Sequence, residues 1–131
     1  MIVNDDFIQM IWRKGTVVEG YDPEVIRKDA CGAWIKRSEY GNHESPFGWE
    51  IDHIFPVGKL RIYRVPPSLV DDVKNLRPLQ WKNNISKGAD YPSYKALVTS
   101  EDVKNVEKEV FFTVNRKVQD VLNQLFDSYI K

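Results

Sequence analysis

Two pieces of sequence in the middle of the chain decide the fold. Residues 49–56 read Trp-Glu-Ile-Asp-His-Ile-Phe-Pro, and residues 75–88 read Asn-Leu-Arg-Pro-Leu-Gln-Trp-Lys-Asn-Asn-Ile-Ser-Lys-Gly. In the first piece the side chains alternate with a period of two, which predicts a β-strand. Residues 75–79 of the second piece are expected to form a short edge strand or an extended stretch, because proline cannot serve a central strand. The piece continues as a helix over 80–87 that Gly88 ends.

The two pieces carry residues that suit the hydrolysis of a phosphodiester. Asp52 and His53 are neighbours on a strand, so their side chains point to opposite faces. The carboxylate can bind a hard cation, while the imidazole, which titrates near neutral pH, can take a proton from water. Asn84 on the following helix offers an amide oxygen, another ligand that suits magnesium, and Asn83 beside it is the competing candidate. A cation that is bound by these residues keeps several coordination positions open for water and for phosphate oxygens.

The ordered set Asp-His-x-x-Pro, Asn-Leu-Arg-Pro-Leu and Asn-x-x-Lys resembles the HNH endonuclease family, in its small bacterial and phage type. The resemblance implies an α+β fold with a ββα-metal (His-Me finger) core, in which a two-stranded antiparallel hairpin and a helix surround one metal ion. It implies that Asp52 and Asn84 bind the metal and that His53 is the general base. Asn75 matches the asparagine that ties the loop together and helps hold the histidine, and Lys87 matches a basic residue of the helix.

The resemblance also implies an activity and its partners. We expect a metal-dependent endonuclease that cuts nucleic acid, with double-stranded DNA as the substrate and Mg²⁺ or Mn²⁺ as the single divalent cofactor. Arg37 and Lys87 are predicted to contact phosphates, although Arg37 could instead cover the sheet and Lys87 could complement the helix dipole. Cys31 is the single cysteine, so the structural zinc of members with two Cys-x-x-Cys pairs is not expected. A module of the same fold that binds nucleic acid without cutting it, or that is purely structural, is the alternative.

Outside the motifs, the pattern predicts helices on both sides of the core. We expect a single domain over 1–131 with a motif core at about 33–88 and helical flanks at 4–32 and 96–131. A first helix starts at Asn4 or Asp5, and Asp22-Pro23 is typical of the start of a second, short helix. Residues 33–40 are strand-like, and the chain is expected to be mostly helical from Ser100 onward.

Composition sets the remaining limits. The chain has 131 residues, of which 42% are hydrophobic and 29% charged, too apolar for a disordered chain. Basic and acidic residues number 19 each, so no bulk positive charge indicates a nucleic-acid partner. Residues 74–95 hold five basic residues against one acidic residue, which makes this segment the place to look for an anionic partner. The apolar runs are too short for a membrane span and no signal peptide is evident, so we expect a cytoplasmic protein with no membrane partner. The oligomeric state is not predicted.

Overall fold

The computed structural model describes residues 1–130 and has an α+β architecture. In chain order its elements are α1 (Asp5–Trp12), β1 (Ile26–Lys28), β2 (Trp34–Lys36), β3 (Trp49–His53), α2 (Val57–Ile62), α3 (Pro67–Val70), β4 (Leu76–Gln80), α4 (Trp81–Lys87), β5 (Ser93–Glu101), β6 (Lys104–Thr113), α5 (Arg116–Leu125) and α6 (Asp127–Ile130). Two short 3₁₀ turns span Arg37–Glu39 and Val73–Asn75. No helix within residues 1–130 is both long enough and apolar enough to span a membrane.

The strands form three separate two-stranded antiparallel sheets, β1–β2, β3–β4 and β5–β6. In the middle sheet Asp52 is the register partner of Arg77, and His53 is the partner of Leu76. Helix α4 follows β4 directly, because the side chain of Gln80 caps it by accepting hydrogen bonds from the backbone of Lys82 and Asn83. The two decisive pieces of sequence thus form one unit, an antiparallel pair followed by a helix.

Polar side chains join the three sheets, which share no ladder of hydrogen bonds. The buried Asp29 carboxylate, between β1 and β2, accepts hydrogen bonds from the Gln80 backbone (2.9 Å) and from Asn83 Nδ2 (3.2 Å). Asn83 in turn reaches β5, where its Oδ1 accepts from the backbone of Leu97 and Val98 at 2.8 Å each. Since a two-stranded sheet is only marginally stable alone, these contacts help to hold each sheet in place.

Two apolar clusters lie on opposite sides of β4. Leu76 belongs to the cluster beneath α1, in which the rings of Trp12 and Trp49 lie 5.3 Å apart. Leu79 belongs to the larger cluster, which β5 and α5 cover. The burial of both faces fixes the register of β4, because a shift of one residue would exchange the two faces.

The prediction of α1 is confirmed, and its cause is visible. The Asn4 side chain accepts a hydrogen bond from the Phe7 backbone at 2.9 Å and so caps the helix. Ile8, Ile11 and Trp12 then form a buried stripe at helical spacing.

Three predictions about the flanks are wrong. No helix follows Asp22-Pro23, because Asp22 Oδ1 instead accepts from the Glu24 backbone at 2.9 Å in a local turn that leads into β1. The strand expected over 33–40 is only Trp34–Lys36, and a 3₁₀ turn replaces its second half. The helical flank expected over 96–131 begins as the β5–β6 hairpin, and helices occur only from Arg116.

Candidate functional site

A cleft of about 350 Å³ opens where β3 ends against α4. Three of the predicted site residues line it, Asp52 and His53 from β3 and Asn84 from α4. Gly58 and Pro56 of the following connection form its outer wall. The cleft therefore combines a carboxylate, an imidazole and an amide that the sequence predicted to act together.

His53 is held by a carboxylate that the sequence analysis did not identify. Its Nε2 lies 2.8 Å from Oδ1 of Asp71, just after α3, and both side chains are about three-quarters buried. A carboxylate at Nε2 favours the tautomer with the proton on that nitrogen, which leaves the lone pair on Nδ1. The signal for Asp71 in the sequence is the Asp71-Asp72 pair, but no periodicity indicates which of the two turns inward.

Asn75 ties together the long connection between β3 and β4. It is fully buried, and its Oδ1 accepts from the Phe55 backbone at 2.8 Å. Its Nδ2 donates to the carbonyls of Phe55 (3.1 Å) and Val70 (3.0 Å). The predicted tie is confirmed, and it brings the start of the connection against α3, next to Asp71. Asn75 acts as a positioning residue, because its amide is entirely occupied by backbone groups.

The Asp52 carboxylate is buried between two cations. Its Oδ2 lies 2.9 Å from Nε of Arg77, and its Oδ1 lies 3.2 Å from Nζ of Lys87. Burial acts to lower the pKa of Arg77, but the neighbouring Asp52 and Tyr94 together outweigh burial and the pKa is raised. Burial lowers the pKa of Lys87, and the attraction of Asp52 opposes that shift. The carboxylate is therefore fixed in position and partly neutralised.

The predicted phosphate contact of Lys87 is wrong. The Lys87 side chain is completely buried, and besides the ion pair with Asp52 its Nζ donates to the carbonyl of His53 at 3.1 Å. The ammonium therefore ties α4 to β3 from the inside, where a nucleic-acid backbone cannot reach it. The motif indicates a basic residue at position 87 of the sequence. It does not indicate that the ammonium group of this residue is buried.

Arg37 lies apart from the cleft. Its Nε donates to Oε1 of Gln9 on α1 at 2.7 Å, and Arg37 is not among the residues that line the cleft in the described part of the chain. Contact of Arg37 with a phosphate stays a prediction.

Asn84 and Asn83 differ in what remains free on their amides. Asn83 is fully buried, and both ends of its amide are bonded to Asp29 and β5. Asn84 donates only from Nδ2, to Glu50 Oε1 at 3.3 Å, and across residues 1–130 its Oδ1 accepts no hydrogen bond. Asn84 is therefore the candidate ligand, and the competing candidate Asn83 has a structural role. Glu50 is itself held by His43, whose Nε2 lies 3.1 Å from its Oε2.

The donor set in the cleft fits a hard divalent cation in type but offers few ligands. Asp52 and Asn84 supply oxygen atoms, which Mg²⁺ prefers, and Mg²⁺ is usually held by one or two carboxylates with several waters retained. Residues 1–130 contain no group of three His, Cys, Asp or Glu side chains that could hold a metal. A carboxylate has about four acceptor positions, so Asp52 keeps capacity beyond Arg77 and Lys87. Those two cations weaken its attraction for a third.

Comparison of the chain with protein-family models, with curated proteins and with solved structures found no match. The case for an activity therefore rests on the geometry of the cleft and on the chemistry of the residues that line it.

Proposed function

We propose that the protein is a metal-dependent endonuclease of the HNH type, with His53 as general base. One observation carries the proposal. A single cleft joins an imidazole paired with a carboxylate to two oxygen donors, Asp52 and Asn84, on facing elements. The order of β3, β4 and α4 supports the proposal, because it is the order that a ββα-metal core requires. The proposed substrate is double-stranded DNA.

The proposed mechanism begins at His53. Asp71 accepts a hydrogen bond from the Nε2–H group, so Nδ1 is free to draw a proton from the attacking water, and Asp71 stabilises the imidazolium that results. Asn75 keeps Asp71 within reach of His53 by tying the connection to α3. Asp52 and Asn84 would hold one Mg²⁺ or Mn²⁺, with Arg77 and Lys87 fixing the carboxylate. When bound, such a cation supplies stabilisation of the phosphate charge and of the departing oxygen.

A module that binds nucleic acid without cutting it is the second candidate. The observation that favours it is the double ion pair at Asp52, because a carboxylate already matched by two cations serves a structural role equally well. The two candidates differ in whether the imidazole is needed for a reaction.

A plasmid-nicking assay tests the proposal, with Mg²⁺, with Mn²⁺ and with chelator. The variant is His53→Ala, and the matched control is His43→Ala, which removes the other histidine and lies outside the cleft. Loss of a general base costs about 10²–10⁴-fold in rate, so His53→Ala should stop nicking while DNA binding in a gel shift is unchanged. His43→Ala should cut at the parental rate, and a thermal melt checks that both variants fold.

The metal is tested at Asn84, whose side chain is only half-buried. Asn84→Ala should raise the Mn²⁺ concentration needed for half-maximal nicking and weaken Mn²⁺ binding measured by electron paramagnetic resonance.

If His53→Ala nicks at the parental rate, the enzyme proposal is wrong. If the parental protein cuts under none of these conditions but shifts DNA in chelator, the binding module replaces it.

A further inference from the structure

A second and larger cavity, of about 600 Å³, lies between α5, β4 and the end of β6. We propose that this basic cavity binds an organic phosphate, that is, a phosphomonoester dianion attached to an apolar body. The lining of this basic cavity includes four cationic residues and five apolar ones, namely Lys14, Lys74, Arg77, Lys117, Ile54, Pro78, Phe112, Val118 and Val121. The proposal goes beyond endonuclease activity and does not rest on it, because binding is measurable without cleavage.

The charge of the cavity indicates an anionic ligand. Four side chains that carry a positive charge line it, and no aspartate or glutamate is among its lining residues within residues 1–130. One of these cations, Arg77, is partly neutralised by Asp52. At least three positive charges therefore border a space that no carboxylate of residues 1–130 lines, which suits a ligand that carries two negative charges.

Arg77 supplies an unused hydrogen-bond donor at this cavity. Its Nε is bonded to Asp52, but its Nη2 is buried and has no hydrogen-bond partner among the described residues. A buried donor without an acceptor costs free energy, and most such groups in proteins are satisfied. A phosphate oxygen that draws the guanidinium group toward the cavity would satisfy Nη2, and the planar guanidinium group matches phosphate geometry well.

Lys14 places a second cation in a fixed position. Its Nζ donates to the carbonyls of Val73 and Leu76, so the ammonium is held at the wall of the cavity by groups that carry no full charge. Burial, together with the nearby Arg77, lowers the pKa of Lys14 to about 8. A bound anion would relieve the repulsion between these two cations.

The rest of the cavity indicates the body of the ligand. Ile54, Phe112, Val118 and Val121 form the apolar part of the lining. Pockets for small organic ligands measure about 300–1,000 Å³ and are mostly apolar with a few placed polar groups. An inorganic phosphate ion would leave the apolar part of the lining bare, whereas a mononucleotide would cover it. The phosphate and the body therefore belong to one ligand, either a free mononucleotide or the phosphorylated end of a nucleic-acid strand.

The test is a titration of the ¹⁵N-labelled full chain, in chelator, followed by amide chemical shifts. The probes are adenosine 5′-monophosphate, adenosine and inorganic phosphate. Adenosine 5′-monophosphate should shift the amides of Val118 and Val121 saturably, and adenosine and inorganic phosphate should each bind at least tenfold more weakly. These differences separate the contributions of the charged and apolar halves of the cavity.

The test variant is Lys117→Glu, and its matched control is Arg116→Glu on the same helix. Both residues are exposed, but Arg116 does not line the cavity and its Nε pairs with Asp120 at 3.1 Å. Lys117→Glu should raise the dissociation constant of adenosine 5′-monophosphate at least tenfold, and Arg116→Glu should leave it within about twofold. Lys74→Glu, also exposed, is a second variant should Lys117→Glu fail to fold.

A short oligonucleotide with and without a 5′-phosphate separates the two sources of the ligand. Tighter binding of the phosphorylated strand than of adenosine 5′-monophosphate assigns the cavity to strand ends, and equal or weaker binding assigns it to a free organic phosphate. The proposal is overturned if adenosine 5′-monophosphate shifts no amide around the cavity at millimolar concentration. It is also overturned if adenosine binds equally well, or if Lys117→Glu and Arg116→Glu have the same effect.

Discussion

His53 and Asp71 are 18 positions apart in the sequence, yet their side chains meet at 2.8 Å. Neither residue alone defines a base for catalysis, because a free imidazole distributes its proton over both nitrogens. The contact depends on Asn75, which fastens the backbone on both sides of it. A carboxylate, an imidazole and a buried amide thus act as one positioning unit at the edge of the cleft.

We predict that Asp71→Asn lowers the nicking rate about 10–100-fold, the usual cost of losing a partner that orients a functional side chain. The amide keeps the size of the side chain but cannot stabilise the imidazolium. KM for DNA and the melting temperature should not change, and the ¹⁵N shifts of the His53 ring should report a new tautomer balance. The matched control is Asp72→Asn, because Asp72 contacts the Lys74 backbone and not the histidine. Equal losses in the two variants would contradict a specific role for Asp71.

The sequence predicts Asp52, His53 and Asn84 in one place because the ordered motif that contains them resembles that of a known family, with a strand and a helix that packs on it. Asp71 could not be found in the same way, because it lies in a connection where no periodicity is sustained. Lys87 shows a different limit. Helical spacing puts it on the face of α4 toward β3, but whether its head group emerges or stays inside depends on Asp52, which only the tertiary structure brings to it.

Helix α4 is held less by apolar packing than by the amide of Asn83. That side chain makes hydrogen bonds to the backbone of β5 on one side and to Asp29 on the other. Because Asn83, Asp29 and Val98 are buried, water does not easily replace a lost partner among them. Asn83 is therefore the residue of α4 that links the cleft to both of the other sheets.

We predict that Asn83→Ala lowers the free energy of unfolding by about 2–4 kcal/mol, since several buried groups lose their partner at a cost of about 1–3 kcal/mol each. Urea denaturation followed by circular dichroism measures the change. Asn84→Ala, the neighbouring substitution on the same helix, should cost less than about 1 kcal/mol because that amide makes one long contact and is half-exposed. Similar losses for the two variants would show that Asn83 does not hold the sheets together.

Helices with caps and apolar stripes, such as α1, could be predicted from the sequence, whereas the β5–β6 hairpin could not. On β5 the residues Tyr94, Ala96 and Val98 are buried in alternation, but on β6 a register shift adds one residue between Glu107 and Val110 and interrupts the alternation. The turn at Asp102 adopts a positive φ of 57° without glycine, so the usual Asn-Gly or Asp-Gly signal is absent. The local sequence of this segment favours neither strand nor helix clearly, and tertiary contacts stabilise the strand conformation.

The larger apolar cluster encloses Cys31, the single cysteine of the chain. Its side chain is almost completely buried, and its Sγ lies 3.6 Å from the Tyr94 hydroxyl. Burial raises the pKa of the Cys31 thiol to about 12, with a contribution from the nearby Asp29. The thiolate is the reactive form of cysteine. The fold therefore slows the reaction of Cys31 in two ways, because reagents cannot reach the buried side chain and because the raised pKa leaves little thiolate.

We predict that Cys31 reacts with a thiol reagent at pH 8 only when the molecule opens. The rate in native buffer should be orders of magnitude below that in concentrated urea, and independent of reagent concentration once opening becomes limiting. At low reagent concentration, where opening and closing are faster than the reaction, Asn83→Ala should speed the native reaction about tenfold for each 1.4 kcal/mol of lost stability, whereas Asn84→Ala should change it little. A native thiol that reacts as fast as a free one would contradict the packing of the larger cluster.

The unequal lengths of the connections between paired strands set an order of assembly. Two residues, Asp102 and Val103, join β5 to β6, so this hairpin can close within about 1–10 μs. Pairing of β3 with β4 must first close the loop of residues 54–75, which carries a larger loss of chain entropy. The cleft is therefore expected to be completed late in folding and to be among the first parts lost, so that mild heating or low urea would remove activity while most of the helix and strand signal persists.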